Sequence, residues 1–182
     1  DESEAYVKWR RMMLAHFHPK QKGKPVMPPI VRVGPDIDAF PIDKMNEYSE
    51  AAVFKEIADV STHGFEYCWV DAYFTKWGFG DGMGNYALPV NTICDPIRFP
   101  RGMAPIADAA HKAGLKFLLW FEPERVAPNT EIALKHPEFV ISPSGNGSGM
   151  FNLGNPKARE YMTNVLSTAI KEWKMDCLRI DY

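Results

Sequence analysis

NPKAREYMTNVLSTAIKEWKMDCLRIDY, residues 155–182, reads as one helix feeding one strand. Asn155 is a favoured N-cap, and Pro156 sits at the first helical position, where its missing N–H would have had no partner. Ala158, Tyr161, Met162, Val165, Leu166, Ala169, Ile170 and Trp173 then recur at steps of three and one, an unbroken helical stripe. Residues 176–182 switch to a two-residue period, as a strand does. The same unit recurs upstream. A helix over about 102–113, closed by Gly114, leads into LKFLLWF at 115–121, and a helix over about 43–63, closed by Gly64, leads into FEYCWVDAYF at 65–74. PIVRVG at 29–34 supplies a first strand, and a short helix is expected near 129–135.

The order β-α-β-α-β-α-β predicts a parallel α/β sheet with crossover helices. Two architectures satisfy it, a doubly wound sheet and a (βα)8 TIM-type barrel. No G-x-G-x-x-G follows any strand, so the doubly wound dinucleotide fold lacks its signature. Long loops follow the second and third strands, and polar residues gather at those strand ends, as at the C-terminal face of a barrel. A barrel takes eight strands and about 250 residues, so four strands are half of one. The expected organisation is an approach segment over residues 1–28 and the N-terminal half of a barrel over 29–182. The chain stops two residues after an apolar run, which reads as a fragment.

Composition narrows the function. The chain has 182 residues with 21 basic and 23 acidic side chains, a net charge of −2. With no basic stripe, a nucleic-acid binder is excluded. No apolar run approaches the roughly 18 residues of a membrane span. Three scattered cysteines (Cys68, Cys94, Cys177) make neither a disulfide framework nor a zinc site. The 13% aromatic content suits a large core or a sugar-stacking site.

Strand alternation groups the polar residues. Cys177, Arg179 and Asp181 share one face of the fourth strand. Tyr67, Trp69 and Asp71 share one of the second, and Lys116, Leu118, Trp120 and Glu122 one of the third. The apolar faces pack on helices, so the mouth is expected to hold Asp71, Trp120, Glu122, Arg179 and Asp181. Carboxylates around a tryptophan suit glycoside hydrolysis, where one carboxylate works on the anomeric carbon and another handles the proton. A structural Arg179–Asp181 pair is the plainer reading of the same residues.

Beyond these patterns, DPIRFPRGMAPIADAAHKAGLKF (95–117), WFEPERV (120–126), HPEF (136–139), FNLGNPKARE (151–160) and a strand ending in Asp resemble melibiase-type α-galactosidases of glycoside hydrolase family 36. The resemblance runs from about residue 28 to 182. It implies the first half of a retaining glycosidase barrel that acts on α-galactoside-like sugars and needs no metal or organic cofactor. It also implies that Asp181 is the nucleophile, with Asp71, Trp120 and Arg179 on the sugar. The acid/base of such enzymes comes from a later strand, so neither Glu122 nor Glu124 takes that role. Four positions depart from the family. Val70 stands where Asp71 would have an aspartate neighbour, and Arg179 stands where a lysine is usual. Residues 142–149 are Gly/Ser-rich where a sugar-contacting arginine would sit, and Gly34-Pro35 lies near the expected tryptophan of the first strand. Arg for Lys exchanges a point charge for a rigid planar fork, so the pocket must differ in shape.

The rival reading is a non-catalytic sugar-binding or assembly module on the same half-barrel. In either case two open sheet edges imply pairing with the missing half or with another copy. A metal-dependent barrel enzyme lacks a ligand cluster, and His16-x-His18 alone is half a site. Tyr86 is expected to pack its loop and Trp173 to lie in the core, while Asn146-Gly147-Ser148 matches a glycosylation acceptor.

Overall fold

The computed structural model describes residues 2–34, 47–141 and 148–181. Four strands form one sheet: β1 Ile30–Val33, β2 Tyr67–Val70, β3 Lys116–Phe121 and β4 Cys177–Ile180. They lie side by side in chain order, and every neighbouring pair is parallel. The crossovers are helical: α2 Glu50–Val60 before β2, α3 Ala104–Lys112 before β3 and α5 Pro156–Glu172 before β4. A fourth helix in chain order, α4 Glu131–Lys135, sits in the loop after β3. The expected β-α-β-α-β-α-β order is what forms.

The helices cover one face only. Val33, Cys68, Val70, Phe117, Leu119 and Phe121 from the sheet join Val53 and Ile57 of α2, Ile106 and Ala110 of α3, and Met162 and Val165 of α5 in one buried core. Trp69 and Trp120 belong to a separate small cluster with Ala72, Met83 and Ala127 on the opposite face. A doubly wound sheet carries helices on both faces, whereas a barrel wall carries them outside only. The layering here is of the barrel kind.

Helix α5 shows how sequence sets the frame. Asn155 Oδ1 accepts from Lys157 N at 2.9 Å, capping the first turn, with Pro156 at the start. Of the stripe, Ala158, Met162, Val165, Ala169 and Trp173 are buried, while Ile170 is 39% exposed. The Trp173 indole donates to Asn91 Oδ1 at 2.8 Å. Gly102 makes that possible, because it has φ +71° and a Cβ there would run into the Asn91 carboxamide.

Several boundaries differ from expectation. The second helix begins at Glu50 after Ser49, not at 43, and positions 43–46 lie outside the described residues. The second strand ends at Val70 instead of running to 74: the Asp71 carboxylate accepts the Ala72 N–H at 2.8 Å and turns the chain into a 3-10 helix, Ala72–Phe74. The loop after β3 contains an unanticipated antiparallel sheet, Arg125–Val126 and Val140–Ile141 on either side of Gly149–Phe151. Two- and three-residue strands are too short to carry a period. Positions 142–147 of the Gly/Ser-rich stretch, with Asn146 and Gly147, lie outside the described residues, as does Pro35.

The N-terminal segment forms α1, Glu2–Met12, continues through a wider turn at Met13–Phe17, and ends in a small hairpin of Lys20–Gln21 and Lys24–Pro25. No residue of α1 is buried, and Tyr6, Trp9 and Phe17 are exposed. His18 Nε2 lies 2.8 Å from the Val26 carbonyl oxygen, and the described residues contain no group of three metal-ligating side chains.

The two features that hold α5 are expected to separate on mutation. Asn155→Ala should cost about 1 kcal/mol, and Trp173→Ala about 3–5 kcal/mol through its cavity. Urea unfolding of both variants measures the difference, and comparable losses would contradict this account of the helix.

Candidate active site

In a parallel sheet, side chains at matched register stand in rows. Arg32, Trp69, Leu118 and Cys177 share one row across the four strands. Two residues on, Trp120 pairs with Arg179, and the same register carried past the strand ends sets Asp71 level with Trp120 and Asp181 level with Glu122. All these residues lie on the face away from the helices, at the C-terminal end of the sheet. The expectation that Asp71, Glu122 and Asp181 share one end is met.

The geometry is closest around Asp181. Its backbone N–H continues the ladder to Phe121 O at 3.0 Å. Its Oδ2 accepts two side-chain donors, Trp120 Nε1 at 3.0 Å and Arg179 Nη2 at 2.9 Å. The Asp181 side chain remains 47% exposed, so the carboxylate is oriented yet reachable. Arg179 is itself positioned, with its guanidinium 4.3 Å from the centre of the Trp69 ring. Alternation grouped Trp69 with Asp71 but did not place it at the mouth, and Arg32 was not singled out from the sequence, because its place beside Trp69 follows from the β1–β2 register.

Asp71 lies in the same mouth, 9% exposed, with Arg32 Nη1 3.9 Å from its Oδ2. Burial raises its carboxyl above the ordinary range. The Ala72 N–H and the guanidinia of Arg179 and Arg32 pull it back, and the Asp181 charge adds to the rise.

Glu122 reaches the mouth but is committed elsewhere. It is 2% exposed, and Arg125 grips it with Nε 2.7 Å from Oε1 and Nη2 donating to Oε2 at 2.7 Å. Burial raises this carboxyl as well, against the lowering by Arg125. Its backbone N–H donates to the Tyr86 hydroxyl at 3.2 Å, and the Tyr86 ring packs 5.5 Å from Phe121. Tyr86 is therefore a core residue that braces the end of β3. Glu122 and Arg125 together turn the strand into its loop.

The loop after β2 is tied down behind the site. Lys76 N donates to Ile93 O at 2.8 Å and Asp95 N to Phe74 O at 2.8 Å. Arg98, 3% exposed, pairs with Asp95 at 3.4 Å and donates to Thr75 O at 3.3 Å. The DPIRFP segment thus serves as scaffold.

The raised carboxyl of Asp71 has a consequence for stability. A group whose native pKa exceeds its unfolded one loses stability as pH rises from the unfolded value through the native one. Asp71→Asn keeps an acceptor for Ala72 and cannot ionise. It should melt higher than wild type at neutral pH, the gain vanishing below about pH 3.9. Melting temperature against pH for both proteins tests this, and a gap that does not narrow on acidification would contradict it.

Comparison with known proteins adds to this geometry. Residues 79–182 match the Melibiase family. Alpha-galactosidase 2 of Pediococcus pentosaceus is 30% identical over 93 residues, 48% of this chain and 13% of that protein. Alpha-galactosidase Mel36A of Lactobacillus acidophilus is 31% identical over 91 residues, 47% of this chain and 12% of that protein. The chain thus spans about an eighth of the length of these relatives. Among solved structures, the GH36 α-galactosidase AgaB of Geobacillus stearothermophilus superposes with a TM-score of 0.69 at 16% identity, over 92% of this chain and 22% of that one. An AgaA variant from the same organism, in complex with stachyose, gives 0.68 at 19% identity, over 85% and 21%. At these identities the superpositions speak for the fold. The family match covers more than half of the sequence, and the one-sided βα layering agrees with it: the chain belongs to the melibiase family.

Proposed function

We propose that this chain is the N-terminal half of the catalytic (βα)8 barrel of a retaining glycosidase acting on α-galactosides, with Asp181 as its nucleophile. The observation that carries the reading is the setting of Asp181. It is a reachable carboxylate just beyond β4, with one oxygen held by Trp120 and Arg179, in a chain of the melibiase family. Asp71 and Arg179 would contact the sugar, Asp71 accepting from hydroxyls, while Trp120, expected from the sequence on the sugar but only 1% exposed, would serve it by orienting Asp181 through its indole N–H. Residues 1–28 would form the approach to the barrel and 29–182 its first four βα units.

In the reaction, an Asp181 oxygen attacks the anomeric carbon as the glycosidic C–O bond breaks. The departing oxygen takes its proton from a general acid on another part of the intact protein. Water, deprotonated by the same group, then attacks the anomeric carbon of the glycosyl ester and releases Asp181. Arg179 and Trp120 orient the carboxylate through their hydrogen bonds to Oδ2.

The remaining strands would pair with the outer edges of β1 and β4. Ile30 at 45% and Ile180 at 54% exposure are apolar residues on those edge strands that such neighbours would cover. A second copy of the chain is the other occupant those edges could take.

Asp181→Ala in the full-length protein should lower kcat by roughly 10⁴-fold or more with little change in melting temperature. Azide should restore part of the rate on an activated aryl α-galactoside and yield a glycosyl azide of inverted anomeric configuration. If melting temperature falls while the rate per folded molecule persists, Asp181 is half of a structural ion pair and the assignment fails.

A further inference from the structure

β4 leads to the proposed nucleophile, yet it is the one strand of its sheet without a fully buried residue. Five of the six residues of β3 are buried, whereas Cys177, Leu178 and Arg179 are half-buried and Ile180 is 54% exposed. A buried face is what ordinarily fixes a strand's register, so the side chains of β4 give it only part of that guidance.

The residue just before the strand supplies the rest. Asp176 donates its N–H to Phe117 O at 2.9 Å, and its Oδ2 accepts the Phe117 N–H at 2.8 Å. Backbone and side chain of one residue thus close on both main-chain polar groups of another, whose own side chain is buried. The offset between 117 and 176 is the one that sets Leu118 against Cys177 and Trp120 against Arg179. His111 Nε2 lies 2.7 Å from the same Asp176 oxygen. His111 stands in the last turn of α3 and Phe117 near the start of β3, on either side of the turn at Gly114. One carboxylate therefore ties the end of α3, the start of β3 and the start of β4 to a single point. At the far end of the same ladder, Asp181 N donates to Phe121 O at 3.0 Å. Five residues, about 16 Å of strand, separate the two.

A second ion pair at this corner offers a comparison. Lys174 Nζ lies 2.6 Å from Asp108 Oδ1 and also links α3 to the turn before β4, but both side chains are exposed and neither bonds a strand backbone. A pair of that kind contributes little. Asp176 differs in taking a hydrogen bond of the ladder itself.

We infer, resting on the reading of Asp181 as nucleophile, that Asp176 is a positioning residue for it: the Asp176 carboxylate, braced by His111, clamps the register of β4 and so sets where Arg179 and Asp181 stand in the mouth. Asp176 acts through the strand and touches no substrate.

The test measures kcat and KM of the full-length enzyme on an aryl α-galactoside, per folded molecule and well below the melting temperature. Asp176→Ala should lower kcat about tenfold with KM within about threefold of wild type, as a misplaced nucleophile does and a merely stabilising residue does not. Asp176→Asn keeps an oxygen for the Phe117 N–H and should hold kcat within about threefold. Asp176→Glu keeps the charge, but its longer side chain cannot close on Phe117 while the backbone bond stands, so it should fall with Asp176→Ala. A role of charge alone predicts the reverse order for asparagine and glutamate. Asp108→Ala, which breaks only the neighbouring pair, should match wild type. An unchanged kcat in Asp176→Ala overturns the clamp, and if that variant does not fold, an unchanged kcat in Asp176→Glu does so. An asparagine variant as slow as the alanine variant overturns it too. Should Asp181→Ala keep the wild-type rate, the nucleophile reading fails, whatever the Asp176 variants do.

Discussion

The parallel pairing of β4 on β3, in the register that sets Arg179 beside Trp120, is the contact on which the site depends. One ladder decides which residues stand level, and the level pair supplies both donors to Asp181. A slip of one residue would turn Arg179 and Asp181 into the helix layer and bring Leu178 and Ile180 to the mouth. The register is defended from behind. Leu178 packs against the core between sheet and helices, and α5, capped by Asn155 and anchored by Trp173 on Asn91, delivers β4 to its place. The Asp181 carboxylate is thus positioned by apolar burial on the far side of the sheet.

Electrostatics at the mouth divide the carboxylates by environment. Glu122 is buried and closed off by Arg125, and its work is to shape the loop that leaves β3. Asp71 is buried and raised, with Arg32 and Arg179 easing the cost of its charge. Asp181 stands at the solvent edge, held through one oxygen. Only the last combines orientation with access, and the proposed nucleophile is placed there for that reason. The planar fork of Arg179 adds a constraint that a lysine would not. It lies on the Trp69 ring while bonding Asp181, so the indole, the guanidinium and the carboxylate are fixed as one unit.

Around this unit the irregular segments have separate tasks. The loop after β2 is pinned by Arg98 and Asp95 and by glycine turns, and it brings Phe79 to 6.0 Å from the Trp120 ring. The loop after β3 is stiffened by a small antiparallel sheet and contributes Arg125, which closes on Glu122. Both loops leave the same end of the sheet because parallel strands all point one way, and that gathers loop residues around one carboxylate.

Periodicity, caps and glycine stops determined the elements of this protein by themselves. The stripe of α5, the Asn155-Pro156 start and the apolar strands are local properties, as is the alternation that put Asp71, Trp120, Arg179 and Asp181 on one face. The tertiary structure decided what depends on pairing between distant segments. It brought Trp69 under Arg179 and Arg32 beside Asp71, because rows across a sheet follow from register and not from any one strand. It ended β2 at Val70, because the Asp71 side chain captured the next N–H in place of a ladder partner. It also made three short strands in the loop after β3, because strands of two or three residues exist only through the partner that completes their hydrogen bonds.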